Sequence, residues 1–432
     1  MENSQSGKVI FLIGIGYVGE MLCDQLSKRD DVASIIAMDK EPQGEWCATI
    51  PKVTYIQHNM ADEGWEEMVS KHNPDVVIHT AWQIRAMYGQ SDEQWRWNVD
   101  GSGRVFDFAL ITPSVERVIY FSTASSYSAR VDNRFEHLFT EAEGFRDDDY
   151  IYAKEKKVTE ELLKSKFDAA KEAGKSVPQV SIVRPAAVTG PRGRYMRIRF
   201  GLQSALQGNL KGGVVNRIIT TLTSFVPATK GWVRQFIHED DVNDIVATLS
   251  FDTYAWDYSV FNITPVSEAV YAKDMADAVG KKILPIQPWM ARFAFWFFWH
   301  TTRGRIPTCA GSWRFYSYPV VMSGLKLAQI YECKYSSKDA FRYTGKKWVN
   351  HANGLRMKFS DLKEFYHIGQ IVEDDDPIAS EYPANVYPDE IPEFEKYGVE
   401  LYQSLEKLSH IHLHQLLHFH HYWSLDLNCR KW

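Results

Sequence analysis

The sequence is poor in cysteine and has no excess of positive charge. Its 432 residues include five cysteines, scattered along the chain without a CxxC pair. This spacing is not that of a disulfide framework and is typical of a protein in a reducing cytoplasm. Asp and Glu (55) outnumber Lys and Arg (49), whereas phosphate binding requires clustered basic residues. We therefore expect a cytoplasmic protein whose main partner is not a nucleic acid.

Long apolar segments are also missing. The longest, 288–299 (PWMARFAFWFFW), is interrupted by Arg292 and is too short to span a bilayer. Such a run most often lies in a protein core, because large exposed apolar patches are rare. We expect the segment to lie within the C-terminal domain without crossing a membrane, whether as core, as a substrate wall, or as a dimer or membrane-surface contact. The polar N-terminus shows no signal peptide.

The first half of the chain alternates short apolar strands with longer helical segments. Predicted strands cover 8–13, 34–39, 53–58, 75–80, 117–122 and 179–184, and predicted helices cover 17–29, 92–110 and a segment that begins near Tyr150. Apolar strands that alternate with helices indicate a parallel sheet covered on both faces. The predicted fold class is α/β, a Rossmann-like doubly wound parallel sheet with a smaller C-terminal substrate domain.

The domain prediction follows the change in this pattern. Residues 1–185 form the predicted dinucleotide-binding domain, to which the chain returns at about 235–265, and 186–350 form the substrate-binding part. Residues 351–432 form an acidic, proline-punctuated and histidine-rich extension. His414, His418 and His421 share helical spacing, but no cysteine or carboxylate completes a ligand set, so we expect no metal site.

A glycine motif follows the first predicted strand. GIGYVG places Gly14, Gly16 and Gly19 where a tight turn, a close approach to a pyrophosphate and close helix packing would each exclude a side chain. Asp39 ends the second strand, where a carboxylate accepts hydrogen bonds from ribose hydroxyls and repels a 2′-phosphate. The motif therefore predicts NAD rather than NADP, although Lys40 beside Asp39 weakens that preference.

Two overlapping YxxxK pairs open the helix after residue 149. In either pair, a spacing of four residues places an ammonium beside a phenol and lowers the phenol pKa, which makes the tyrosine a usable acid–base group. The pairs are Tyr150 with Lys154 and Tyr152 with Lys156, and spacing alone does not choose between them. STASSY (122–127) follows the fifth strand, so the Thr123 hydroxyl is expected at the ligand-binding edge of the sheet.

These motifs together resemble the extended short-chain dehydrogenase/reductase family, in its NAD-dependent epimerase/dehydratase branch. The resemblance runs in order from about residue 8 to residue 262. It rests on GIGYVG, DVVIHTAW (75–82), NVDG (98–101), STASSYS (122–128), RPAAVTGP (184–191), RQFIHEDDV (234–242) and FNIT (261–264). The resemblance implies an NAD-dependent oxidoreductase or epimerase that exchanges a hydride at a substrate carbinol carbon.

The resemblance also implies roles for individual residues. Its register selects Tyr150 as the acid–base group and Lys154 as the partner that reaches the nicotinamide ribose, with Thr123 orienting the substrate. The implied cofactor site consists of Gly14, Gly16, Tyr17, Val18, Gly19, Asp39, Ala81, Asn98 and Lys154. Ser125 and Arg234 are implied substrate-binding residues, and Arg234 would contact a diphosphate.

Departures from the family pattern leave the substrate open. Ala124 and Ser125 replace the Asp-Glu pair of the dehydratases, which argues against elimination of water. Pro185, Ala186 and Ala187 stand where many sugar epimerases have an asparagine. A nucleotide sugar is the expected substrate, with the basic residues Arg192, Arg194, Arg197 and Arg199 near its diphosphate. A sterol- or alcohol-type dehydrogenase and a non-catalytic dinucleotide-binding protein are the alternatives, and a homodimer is left open.

Overall fold

The computed structural model describes residues 7–146, 149–190, 225–278, 282–304 and 308–341. Seven parallel strands form the central sheet: β1 Lys8–Ile13, β2 Val32–Asp39, β3 Val53–Gln57, β4 Val76–His79, β5 Arg117–Phe121, β6 Gln179–Pro185 and β11 Tyr258–Ile263. Six shorter strands lie outside it: β7 Ala187–Thr189, β8 Phe225–Ala228, β9 Val233–Arg234, β10 Phe236–His238, β12 Val270–Tyr271 and β13 Lys282–Pro285.

The helices of the described residues cover both faces of this sheet. They are α1 Tyr17–Ser27, α2 Glu45–Ala48, α3 Trp65–Ser70, α4 Ser91–Trp95, α5 Gly101–Ile111, α6 Ile151–Glu172, α7 Glu239–Phe251, α8 Ala272–Ala278 and α9 Pro288–Thr301. A π-helical turn, Arg96–Asp100, joins α4 to α5, and 3-10 turns cover Ala124–Tyr127, Ser312–Tyr316 and Leu327–Gln329. The predicted helix over 92–110 is therefore continuous but changes its winding in the middle.

The core lies on both faces because the strands are apolar on both. In β1, Ile10 and Leu12 face one buried cluster, which also contains Leu22 of α1. Phe11 and Ile13 face the other, which includes Trp65 of α3. A strand that is buried on both faces needs a continuous apolar run, and β1 (KVIFLI) is such a run.

The strand order of the sheet indicates where a ligand site lies. The order is β11-β6-β5-β4-β1-β2-β3, so the chain reverses its direction of travel between β1 and β4. In open parallel sheets of this kind, a crevice for ligands forms beyond the carboxyl ends of the strands at that switch point. The predicted Rossmann-like doubly wound sheet is confirmed. The carboxyl ends of β1, β4 and β5 carry the candidate site.

The aromatic segment 288–299 lies at the surface and not in the core. In α9, Ala291 is the one buried residue, whereas Trp289 is 68% exposed and Trp296 is 52% exposed. The segment therefore forms a helix that lies on the surface. Among the described residues, no helix is both long and apolar enough to cross a membrane.

Candidate active site

The glycine turn between β1 and α1 excludes side chains at two positions. Gly14 has a φ of +93°, and a Cβ there would overlap the amide nitrogen of Ala81. A Cβ on Gly19 would overlap the carbonyl oxygen of Gly14. Thr80 completes the turn, because its hydroxyl donates to the Gly14 carbonyl over 2.6 Å. These contacts bring the end of β4 against the end of β1.

Gly16 differs from these two glycines. It is the N-cap residue of α1, and a Cβ there would meet no protein atom within 4 Å. Space at this position leaves the unpaired N–H groups of the helix accessible, and such groups bind phosphate. This open cradle fits the pyrophosphate of a dinucleotide.

Asp39 ends β2 beside the same turn. Its Oδ2 accepts from the Ile15 amide over 2.6 Å, and its Oδ1 accepts from the Glu41 amide over 3.0 Å. Each carboxylate oxygen can accept a second hydrogen bond, so the group can still bind ribose hydroxyls. Lys40 forms an ion pair with Glu41, and its ammonium lies 4.6 Å from the centre of the Trp97 ring. The cation that weakened the NAD preference is thus held by other groups.

The remaining predicted cofactor residues lie in different environments. Ala81 donates its amide to the Ile13 carbonyl over 2.9 Å and packs against the glycine turn, and Val18 packs against the core. The Tyr17 hydroxyl donates to the Glu239 carboxylate and so ties α1 to α7. Asn98 is fully buried and holds the loop after β4, because its side chain bonds both backbone groups of Gln83.

Thr123 lies at the carboxyl end of β5. It is 7% exposed and caps the following 3-10 turn, where its Oγ1 accepts from the Ser125 amide over 3.2 Å. An accepting hydroxyl keeps its own hydrogen free to donate. The cap therefore orients Thr123 as a donor, and Ser125 follows it half-buried in the same turn.

The first YxxxK pair begins at the residue before α6. Tyr150 is the N-cap residue and has an extended backbone, with a φ of −81° and a ψ of 107°. Its ring centre lies 5.2 Å from that of Phe315. Lys154 is exposed. The roles that the resemblance implied for Tyr150 and Lys154 stay predictions.

The second pair faces the sheet. Lys156 is 2% exposed, its ammonium donates to the carbonyl of Phe121 at the end of β5, and it lies 3.5 Å from the centre of the Trp82 ring. The Tyr152 ring meets the same indole edge-on, with 6.5 Å between centres. Burial lowers the pKa of Lys156, and the carboxylates of Glu160 and Glu155 oppose that shift. Trp82 thus brings Tyr152 and Lys156 together between β4 and β5.

A buried carboxylate adjoins this lysine. Glu155 is fully buried and accepts from Asn98 over 2.8 Å and from Gln94 over 3.1 Å. Burial raises the Glu155 pKa, and both amide donors oppose the shift. The cluster connects α6 to the π-helical turn that carries Asn98. It was not predicted.

A second unpredicted group of side chains contacts α6 through Glu160. Arg184 of β6 forms a buried ion pair with Glu160 of α6 and donates to the Tyr127 hydroxyl over 2.7 Å. The Tyr127 hydroxyl in turn donates to Asn262 of β11 over 2.8 Å. Burial raises the Tyr127 pKa to about 12, so this phenol stays protonated. These bonds join the helix of the second YxxxK pair to β6, to β11 and to the 3-10 turn that follows β5.

The sequence did contain a signal for the second pair. Leu163 and Phe167 are apolar residues of α6 spaced by four, and both are buried. The same helical stripe continues back through Glu160 to Lys156, whereas Lys154 lies off it. Helical periodicity would therefore have placed Lys156 against the sheet.

Arg234 lies in β9 and contacts the 3-10 turn Ser312–Tyr316. It donates to the Phe315 carbonyl over 3.3 Å, and its guanidinium lies 5.1 Å from the centre of the Tyr316 ring. Phe315 also contacts Tyr150, so Arg234 and the start of α6 share one neighbour. The basic residues Arg192, Arg194, Arg197 and Arg199 lie outside the described residues, as do the histidines after residue 409.

Comparisons with known proteins identify the family and the fold. The profile of the NAD dependent epimerase/dehydratase family matches residues 10–264, more than half of the chain. A UDP-glucose 4-epimerase of Streptococcus mutans is 25% identical over 122 residues, which are 28% of this chain and 36% of that epimerase. The match thus spans about a third of that relative.

Solved structures show the same fold. The Bordetella bronchiseptica enzyme WbmG, in complex with NAD and UDP, is 18% identical with a TM-score of 0.55, and the alignment covers 82% of this chain and 98% of that one. The Thermotoga maritima UDP-glucose 4-epimerase, with UDP-glucose, is also 18% identical with a TM-score of 0.55 and covers 80% and 99%. At such identities the likeness to solved structures establishes the fold alone, and the match to the family profile establishes the family. The chain belongs to the NAD dependent epimerase/dehydratase family and is an NAD-dependent enzyme.

Proposed function

We propose that this enzyme exchanges a hydride between NAD and a carbinol carbon of a nucleotide sugar, with Tyr152 and Lys156 as its acid–base pair. The observation that carries the proposal is the position of the Lys156 ammonium, on the Phe121 carbonyl and against Trp82. This position is at the carboxyl edge of the sheet, where the glycine turn also lies. It replaces Tyr150 and Lys154, the pair selected by the resemblance.

The chain's own groups account for the proton in this reaction. When bound, NAD supplies reversible acceptance of a hydride at C4 of its nicotinamide ring. Tyr152, as the phenolate, accepts the proton of the substrate hydroxyl while the carbinol carbon loses its hydride, so that a carbonyl forms. A cation beside a phenol favours the phenolate, and Lys156 is the cation that shares a neighbour with Tyr152. Thr123 donates a hydrogen bond to the same substrate oxygen.

The nucleotide part of the substrate is assigned to residues 186–350. Arg234 supports this assignment, because a guanidinium pairs well with a diphosphate and this one lies one neighbour away from the start of α6. The UDP complex of WbmG and the UDP-glucose complex of the Thermotoga epimerase support a uridine diphosphate sugar as the class to test first. Ser125, in the turn after Thr123, is the proposed contact to the sugar.

The proposal is tested with a panel of UDP-hexoses and a panel of apolar secondary alcohols. Each compound is incubated with the purified full chain and NAD, and products and reduced nicotinamide are both measured, because epimerisation regenerates its cofactor. We expect turnover of at least one UDP-hexose. Turnover of apolar alcohols alone would contradict the nucleotide sugar and support the sterol- or alcohol-type alternative. NAD binding without any turnover in either panel would support the non-catalytic alternative.

A further inference from the structure

Helix α9 has two apolar faces, and one of them is exposed. The first face packs on the 3-10 turn Ser312–Tyr316, where the Phe295 and Tyr316 ring centres lie 5.0 Å apart. On the opposite face, Trp289 is 68% exposed, Phe293 and Trp296 are each 52% exposed, and Phe297 is 42% exposed. Spacings of three and four residues place these four side chains on one side of the helix. A monomeric soluble protein rarely exposes such a contiguous aromatic patch without an interaction.

A neighbouring loop extends this aromatic face. Tyr88 packs on the C-terminal end of α9, with its ring centre 5.4 Å from that of Trp299 and its hydroxyl 3.4 Å from Nδ1 of His300. Tyr88 itself is 42% exposed, and Ile84 in the same loop is 52% exposed. The face is therefore built from two separate parts of the chain.

The stretch of sequence that contains α9 carries charge of one sign. The 54 residues from 278 to 331 contain no Asp or Glu, although acidic residues outnumber basic ones in the whole chain. The same segment contains seven basic residues: Lys281, Lys282, Arg292, Arg303, Arg305, Arg314 and Lys326. Among those described, Lys282 precedes the helix, Arg292 lies at the edge of the aromatic face and Arg303 follows the helix, and all three are exposed.

We propose that α9 docks the enzyme on the surface of an anionic lipid bilayer, with the helix in the plane of the interface. Trp and Phe partition into the headgroup boundary, and flanking Lys and Arg are attracted to acidic lipids. The helix has 14 residues and is about 21 Å long, so it lies on the bilayer, whose apolar core is about 30 Å thick.

The charges also favour an anionic lipid bilayer over a second copy of the chain as the partner of α9. A symmetric dimer through α9 would bring Lys282, Arg292 and Arg303 of one copy towards the same cations of the other. An acidic lipid surface supplies both the apolar depth and the opposite charge. The proposal is independent of the sugar substrate, since it depends on residues outside the candidate active site.

The first test is flotation of the full chain with vesicles. We expect the protein to float with vesicles of phosphatidylcholine that contain phosphatidylserine. The triple variant Trp289→Ser/Phe293→Ser/Trp296→Ser is expected to lower the bound fraction at least tenfold. The matched control is Ile111→Ser/Val131→Ser/Val266→Ser, because these side chains are 67%, 79% and 61% exposed at other places on the surface. Equal losses in both variants would overturn the proposal.

The second test separates the charges from the aromatic side chains. Lys282→Gln/Arg292→Gln should reduce binding to phosphatidylserine-containing vesicles several-fold and leave binding to pure phosphatidylcholine unchanged. Added salt should act in the same direction as this variant. Binding that is unaffected by both salt and the variant would contradict the anionic surface.

The third test keeps the fold intact. Brominated phospholipids quench tryptophan emission within the bilayer, and Trp289→Phe/Trp296→Phe removes the two tryptophans that are exposed among the described residues while keeping aromatic side chains. We expect quenching in the unmodified protein and its loss in this variant, with flotation retained. Quenching that persists would overturn the proposal. So would a failure to float combined with a dimer, in sedimentation, that the triple serine variant dissociates.

Discussion

The glycine turn after β1 and the first turn of α6 lie at the same edge of the sheet, but different interactions hold them. In the glycine turn the backbone is the functional surface, and Gly14 and Gly19 serve by lacking a Cβ. In α6 the functional groups are side chains, and the face of the helix decides that Lys156 is buried and Lys154 is exposed. A site made of backbone is sensitive to one added carbon, whereas a site made of side chains is sensitive to a shift of two residues.

The largest expected effect is in α6. Tyr152→Phe removes the proton-accepting oxygen, so turnover of the UDP-hexose substrate should fall by roughly 10²–10⁴-fold, while NAD binding changes little. Tyr150→Phe is the matched control, two residues earlier, and should keep turnover within a few-fold. Steady-state kinetics and NAD titration measure both. Collapse in Tyr150→Phe with survival of Tyr152→Phe would restore the first YxxxK pair.

The lysines of the two pairs extend this test. Lys156→Met should lower both turnover and NAD affinity, because the ammonium would serve the phenol and the nicotinamide ribose together. Lys154→Met removes an exposed side chain and should leave both quantities within about twofold. The same assays and a circular dichroism spectrum, which reports whether the buried variant still folds, decide between the pairs.

The next effect compares two glycines of the turn. Gly14→Ala should destabilise the fold by about 1–3 kcal/mol, because Gly14 has a positive φ and its Cβ would overlap Ala81. Gly16→Ala should cost the fold about 1 kcal/mol or less, since no protein atom lies near its Cβ, but it should lower NAD affinity at least tenfold. Urea unfolding without cofactor and NAD titration separate the two quantities. Equal destabilisation by both variants would contradict this assignment.

Asp39 provides a smaller effect in the same region. The unmodified protein should bind NAD more tightly than NADP, and Asp39→Ala should narrow that difference by roughly 10- to 100-fold, the value of a charge-assisted hydrogen bond of about 1.5–3 kcal/mol. The variant should also loosen the turn, because Asp39 accepts from the amides of Ile15 and Glu41. Fluorescence titration with both cofactors measures the ratio, and a preference of the unmodified protein for NADP would refute the role of Asp39.

The smallest effect concerns His79 of β4. This strand lies between β1, which leads into the glycine turn, and β5, whose last carbonyl binds Lys156 of α6. His79 is fully buried with its Nε2 2.8 Å from the Ser102 hydroxyl, and burial lowers its pKa to about 3. The unfolded chain takes up a proton at His79 below its ordinary pKa of about 6.5, and the folded chain does not. The contribution of neutral His79 to the free energy of unfolding is therefore present above pH ~6.5 and is lost as the pH falls.

The corresponding measurement is urea unfolding at pH 7 and pH 5.5. Protonation of unfolded His79 should lower the free energy of unfolding by about 1 kcal/mol between these values. His79→Leu should remove that part of the pH dependence, whereas the surface variant His72→Leu should retain it. The same pH dependence in His79→Leu and in the unmodified protein would show that other groups cause it.

Sequence reasoning succeeded for features that depend on residues close together in the chain. β1 was predicted with its observed bounds, because a continuous apolar run ends at a glycine turn. It left the place of the aromatic helix α9 open, since an apolar run cannot show whether a helix has more apolar faces than neighbours to cover them. It also missed the cluster of Glu155, Asn98 and Gln94, because these residues come from separate helical segments.

The sequence by itself determined the parallel sheet, the glycine turn and the family, because periodicity and glycine requirements act between residues close in the chain. The tertiary structure decided which of two YxxxK pairs faces the sheet. That choice depends on the Phe121 carbonyl and the Trp82 ring, which lie 35 and 74 residues before Lys156. It also decided that α9 presents Trp289 and Trp296 to solvent, because exposure depends on what the rest of the chain leaves uncovered.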